Sequence, residues 1–165
     1  MGLSAVFPAG SRVCMTRSGD APRGFYAWYG TSAAGCPERG DIAAGRLAID
    51  SSFNALGDRT PEEAIGACRP FPASLAEKSG GGGLSFRRLP SLACMSALPD
   101  GWLEISVHAL AGRSPSASPP EAPLVLYTAS LTTKPDRLQE DIPMFRSFLG
   151  RLQIGLDREG GAPLK

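Results

Sequence analysis

Apolar and polar positions alternate with a period of two along most of this chain, and a helical period takes over only near its end. The first clear run is GFYAWYG, residues 24–30, closed by glycine on either side. As a strand it sends Phe25, Ala27 and Tyr29 to one face and Tyr26 and Trp28 to the other. RLAIDSSFNAL, residues 46–56, repeats the alternation with Leu47 and Ile49. Two further runs, LSFRRLPSLACMSAL and GWLEISVHALAG, are joined by Pro99-Asp100-Gly101, where proline presets φ and glycine accepts a positive one. In the second run Leu103, Ile105, Val107 and Ala109 form an apolar face opposite Trp102, Glu104, Ser106 and His108. LVLYTASLTT, residues 124–133, predicts another strand, and AVFPAGSRVCMTR a short extended segment broken by Pro8 and Gly10.

Two stretches read as helix. In DRTPEEAIGAC, Thr60 is the N-cap, Pro61 suits the first helical position, and Glu63 completes a capping box. Glu62 and Glu63 also suit the positive end of the helix dipole. This helix is short and ends before Pro70, since proline disfavours helix in the residue ahead of it. Near the C-terminus Leu138, Ile142, Phe145, Leu149 and Leu152 recur at spacings of 4, 3, 4 and 3, one apolar stripe. Pro143 interrupts that pattern, so the main helix is expected to begin near Asp141–Pro143. The order strand, strand, helix, several strands, helix predicts an α+β fold: an antiparallel sheet with one short and one longer C-terminal helix packed on it. Residues 1–157 are expected to form a single domain and 158–165 a loose tail, with GRSPSASPPEAP, residues 112–123, as a surface loop.

Composition narrows the function. The 165 residues carry 17 basic and 16 acidic side chains, a net charge of +1 without a run of either sign. The field that a nucleic-acid or anionic-membrane binder uses is therefore missing. No apolar run approaches the length of a membrane span. Glycine (20) and proline (15) are abundant, which favours many turns and short elements over a helical bundle.

Cys14, Cys36, Cys68 and Cys94 lie far apart, with no closely spaced pair and only His108 to assist, so neither a metal site nor a cofactor is expected. Four separated cysteines allow three disulfide connectivities. Cys14–Cys36 with Cys68–Cys94 is favoured, because each joins neighbouring elements; four buried thiols in a cytosolic protein is the alternative. The start, MGLSAVFPAGSRVC, lacks a charged region followed by an apolar run and is not a signal peptide, so export would rely on a leader removed ahead of it.

Catalytic constellations are sparse. The four glycines of SLAEKSGGGG follow Lys78-Ser79 instead of preceding it, which is not a phosphate-binding order. No GxSxG elbow is present. His108 lies on the polar face of its strand, where a hydrogen-bonded structural role is the simplest account. Asp41, Asp50, Asp58, Glu104, Glu140 and Asp141 could supply a carboxylate pair, yet spacing marks no two of them. Tyr26 and Trp28, with Arg87 and Arg88 of SFRR, are instead the residue types that dominate protein interfaces.

LPDGWLEISVHAL followed by PLVLYTASLTTKPDRLQEDIPMFRSFLGRLQI resembles the Mog1/PsbP-like group of small α+β sandwiches over roughly residues 84–154. The shared elements are a P-x-G-W turn and a closing strand that leads into a terminal helix. The resemblance implies a partner-binding or accessory role and assigns no site residue. The resulting expectation is a non-enzymatic exported bacterial protein, periplasmic or secreted, acting on another protein. Its most concrete form is an immunity protein or inhibitor of a secreted toxin effector. The alternatives are a small hydrolase using carboxylates or His108, and a cytosolic secretion accessory protein.

Overall fold

A computed structural model describes residues 3–18, 21–30, 36, 45–78, 82–112 and 124–154. Six strands form one antiparallel sheet: β2 (Arg12–Ser18), β3 (Ala21–Tyr29), β4 (Gly45–Phe53), β5 (Leu92–Ala97), β6 (Leu103–Ala111) and β7 (Val125–Thr133), in the spatial order β2-β3-β4-β7-β6-β5. A separate two-residue pairing joins β1 (Leu3–Ser4) to β8 (Gln153–Ile154). The helices are α1 (Pro61–Ile65), α2 (Ala73–Lys78) and α3 (Leu138–Arg151). The α+β architecture and the long C-terminal helix follow the expectation, and α2 adds a second short helix. The tail 158–165 and nearly all of the 112–123 loop lie outside the described residues.

Strand alternation decides what each face holds. Leu47 and Ile49 of β4, Ile105, Val107 and Ala109 of β6, and Val125, Tyr127, Ala129 and Leu131 of β7 are all buried on one side. Against them α3 presents Leu138, Ile142, Phe145, Phe148 and Leu149, each buried. Phe7 closes the margin with its ring 5.0 Å from that of Phe148. Every residue of the helical stripe read from sequence is buried here.

The helix starts earlier than Pro143 implied. A 3-10 turn over Pro135–Arg137 runs straight into Leu138, and Pro143 sits inside the helix. Proline removes the N–H that would bond the Gln139 carbonyl, but both residues are exposed, so water satisfies that acceptor. The first turn is held from inside. Asp141, though almost fully buried, accepts the Thr133 hydroxyl and lies 3.2 Å from Arg137 Nη2. The Tyr29 hydroxyl is buried beside this carboxylate without a well-aligned hydrogen bond, and burial together with the carboxylate's charge raises its pKa. Gly45 is required at this point, because a Cβ there would collide with the Tyr29 ring and hydroxyl.

On the other end of the sheet, α1 carries the expected cap: Glu63 N–H donates to Thr60 Oγ1 at 3.2 Å, and Glu63 Oε2 returns the bond. Residues 69–71 then run along β5. Met95 N–H donates to the Arg69 carbonyl and Phe71 N–H to the Ala93 carbonyl, both at 2.9 Å. Ala93 and Met95 therefore direct their backbone away from β6, and Cys94 towards it. Arg146 of α3 secures the following stretch, its Nη2 donating to the Ala76 and Gly82 carbonyls at 3.4 and 3.2 Å.

Thr133→Val keeps the shape at the Asp141 site and removes its hydroxyl donor. We expect a loss of about 1–3 kcal/mol in unfolding free energy, read from urea denaturation, because a buried carboxylate is left short of a partner. An unchanged midpoint would show that Asp141 is satisfied without Thr133.

Candidate functional site

The face of the sheet turned away from α3 carries the even-numbered residues of β3, β4, β5, β6 and β7. Register places them in cross-strand rows. One row runs Arg12, Trp28, Arg46, Thr132, Glu104, Ser96. The next runs Cys14, Tyr26, Ala48, Ser130, Ser106, Cys94. A third contains Gly24, Asp50, Thr128, His108 and Leu92.

The second row explains the cysteines. Cys14 and Cys94 stand at opposite edges of the sheet in the same row, and each is bonded to a residue outside it. Cys14 pairs with Cys36 and Cys68 with Cys94, each with Cα atoms 5.9 Å apart. The favoured connectivity is the one present, and disulfides of this kind persist in oxidising compartments. Each bond tethers a chain segment at one margin of the even face, so the floor between them is bounded on two sides.

The floor is aromatic and cationic near β3. Arg46 lies 4.6 Å from the Tyr26 ring centroid and 5.6 Å from that of Trp28. Such a cation–π contact is worth roughly 0.5–1 kcal/mol in exposed settings and holds the guanidinium against the rings. Trp28 is buried and Tyr26 half-buried, while Arg12, opposite Trp28, is exposed. Arg46 escaped the sequence reading; the signal for it was the β3–β4 pairing, which a linear pattern does not supply.

At the other margin the disulfide Cys68–Cys94 and α1 frame a cavity of about 470 Å³. Ile65, Arg69, Met95, Ser106 and His108 line it among others. His108 is held at both ring nitrogens, with Nδ1 3.0 Å from Thr128 Oγ1 and Nε2 2.9 Å from Ser106 Oγ. Burial lowers its pKa, since the charged imidazolium would be poorly solvated there.

A serine beside a histidine is the starting geometry of a nucleophile and its base. Two features oppose that chemistry. The third group on the imidazole is a hydroxyl and not a carboxylate. The amides around Ser106 are engaged in the ladder with β5 and β7, and so cannot stabilise an oxyanion. The carboxylates do not pair either. Asp41 lies outside the described residues, Asp141 belongs to the α3 anchor, and Asp58 and Glu140 are off the sheet. Asp50 and Glu104 share the even face but stand two strands and four residues apart, a Cα separation of roughly 16 Å from standard strand spacings. Glycosidase carboxyls lie within about 10 Å.

Arg87 and Arg88 occupy a different surface. They are exposed on a turn, not a strand, with Arg88 at a φ of 66°. The neighbouring Phe86 is buried in the core under α3, so this turn belongs to the helix side of the sheet. The structure does not bring them to Tyr26 and Trp28. Among the described residues there is also no cluster of metal-ligating side chains and no helix long and apolar enough to cross a membrane. No known protein family, curated protein or solved structure matches this chain.

His108 is the chain's one histidine, which makes its titration separable. Its folded pKa lies below its unfolded one, so its contribution is complete above about pH 6.5 and declines as pH falls below that value. We expect the urea midpoint to drop between pH 7.5 and 5.5, and His108→Asn to flatten that window. Equal slopes in both proteins would refute the assignment. Replacing Cys68 and Cys94 together by serine is expected to cost about 2–4 kcal/mol of stability, by thermal or urea unfolding.

Proposed function

We propose that this protein is an exported bacterial binding protein whose even sheet face docks on another protein. The most concrete version is an immunity protein or inhibitor that covers the cleft of a secreted toxin effector. The observation that carries this reading is Arg46 stacked over Tyr26 and Trp28 on a sheet face bounded by two disulfides. Tyrosine, tryptophan and arginine dominate interface energetics because they bury large areas while keeping polar handles. A strand floor presents them on rigid backbone, so less conformational entropy is lost on docking than from a loop. The paired cysteines are consistent with an oxidising, exported setting such as the periplasm. A binding role is also what the resemblance to Mog1/PsbP-like proteins implies. The arginine pair Arg87–Arg88 has no part in this face.

The test compares wild type with a Tyr26→Ala/Arg46→Ala double variant in affinity capture from envelope and secreted fractions of the native organism. We expect a partner retained by wild type and weakened at least a hundredfold by the double variant, and loss of that partner's activity when wild type is added. A partner bound equally by both proteins, or no partner at all, would overturn the assignment of this face.

A further inference from the structure

The two edges of the sheet are finished differently. At β5, residues 69–71 take up the outward backbone groups of Ala93 and Met95, and Pro70 bridges to Cys94. That edge is covered. β2 stands at the opposite edge, and among the described residues β3 is its only strand neighbour.

Which groups β2 leaves outward follows from alternation. In an antiparallel sheet the N–H and C=O of one residue point to the same neighbour, and successive residues point to opposite neighbours. Ala93 and Met95 point outward, so Cys94 and its partner Ser106 face each other, and Val107 points to Ala129. Continuing through Ser130–Ala48 and Leu47–Ala27 brings Tyr26 to face Cys14. Val13 and Met15 are then left with their backbone directed away from the sheet.

The same two residues have the exposed side chains. Val13 is 48% and Met15 51% exposed, on the α3 side, next in register to Ala27 and half-buried Phe25. An apolar side-chain pair and its outward backbone thus coincide at one open edge. The strand's own charge has one sign. The strand RVCMTRS contains two arginines and no acid, and Arg23 on β3 adds a third. Arg12 and Arg23 are exposed and form no ion pair among the described residues.

We infer that β2 is a strand-acceptor edge, where an extended segment of another protein adds beside Arg12–Thr16 with apolar residues at alternate positions and acidic residues flanking them. Main-chain bonds to Val13 and Met15 supply the register, and their side chains pair with the apolar positions. The arginines select an acidic segment and oppose a second copy of this chain, whose own edge would bring like charges together. This edge meets the even face at Arg12, yet the two assignments are distinguishable, because Val13 and Met15 belong to the edge alone and Arg46 to the face alone.

The probe is a random nonapeptide phage library panned on the full oxidised chain. Enriched peptides should carry apolar residues at i and i+2 with Asp or Glu beside them. A synthetic copy should shift the amide resonances of Val13 and Met15 most. Val13→Lys, Met15→Lys and Arg12→Glu should each weaken it at least tenfold, while Arg46→Ala leaves it unchanged. Both apolar positions are exposed, so folding is expected to survive; should a variant unfold, the amide shifts of wild type decide. No enrichment, shifts centred on Tyr26 and Arg46, or affinity insensitive to all three variants would overturn the inference. So would a concentration-dependent dimer abolished by Val13→Lys, which would give the edge to a second copy.

Discussion

The nine-residue pairing of β4 with β7, from Gly45 opposite Thr133 to Phe53 opposite Val125, is the constraint on which the remaining geometry rests. These two strands lie at the centre of the sheet, and their parity fixes which side chains meet α3. A slip of one residue between them would turn one strand's set, Leu47 and Ile49 or Tyr127 and Leu131, to the open side and deliver its polar neighbours, Arg46 and Asp50 or Thr128, to the core. The hydrophobic loss of several fully buried side chains, at about 1.5–3 kcal/mol each, excludes that alternative. Parity then propagates outward through every register, because each neighbour must match both the pleat and the hydrogen-bond direction of the last. It reaches the edges as the placement of Cys14 and Cys94 in one row and as the outward backbone of Val13 and Met15.

A sheet whose long helix packs on one side leaves most of the other face to be satisfied by different means. Here the solution is mixed. Thr128, Ser130 and Ser106 provide hydroxyls, two of which engage His108. Ala48 and Trp28 are nonetheless buried, so the face is not a simply solvated surface. The disulfides act on this side alone. Each bonds a cysteine at a sheet edge to one outside the sheet, and they do so without occupying the central strands. A small domain whose main core lies on one side of its sheet gains from such staples on the other.

Much of this was legible in the chain because the signals are local. The alternation in GWLEISVHALAG, the Thr60–Glu63 capping box and the stripe from Leu138 to Leu152 each depend on neighbours within four residues, and each appears as read. The two cysteine pairings were also recoverable, since each links segments near in sequence. The early start of α3 was not, because the anchor of its first turn, Asp141 with Thr133 and Tyr29, unites two strands and a helix that sequence does not juxtapose. Arg46 over Tyr26 and Trp28 was hidden for the same reason. Arg87 and Arg88 show the converse error: SFRR resembles a strand edge beside an aromatic, but Phe86 turns into the core and leaves both arginines on a turn remote from the other rings. Only register decides which of these aromatic and cationic residues share a face.

The same register argument separates binding from catalysis on the even face. A catalytic serine needs unpaired donors near its oxygen, and donors of that kind occur at turns, helix ends and loop nests. Ser106 lies in mid-strand between two paired neighbours, so its backbone surroundings are rigid and saturated. Those properties hinder a reaction that must stabilise new charge. Rigidity also gives the Arg46 stack its value, since a guanidinium already held against two rings loses little freedom when a partner covers it. The hydrogen bonds that fix this face are thus the same ones that leave Ser106 without free backbone donors.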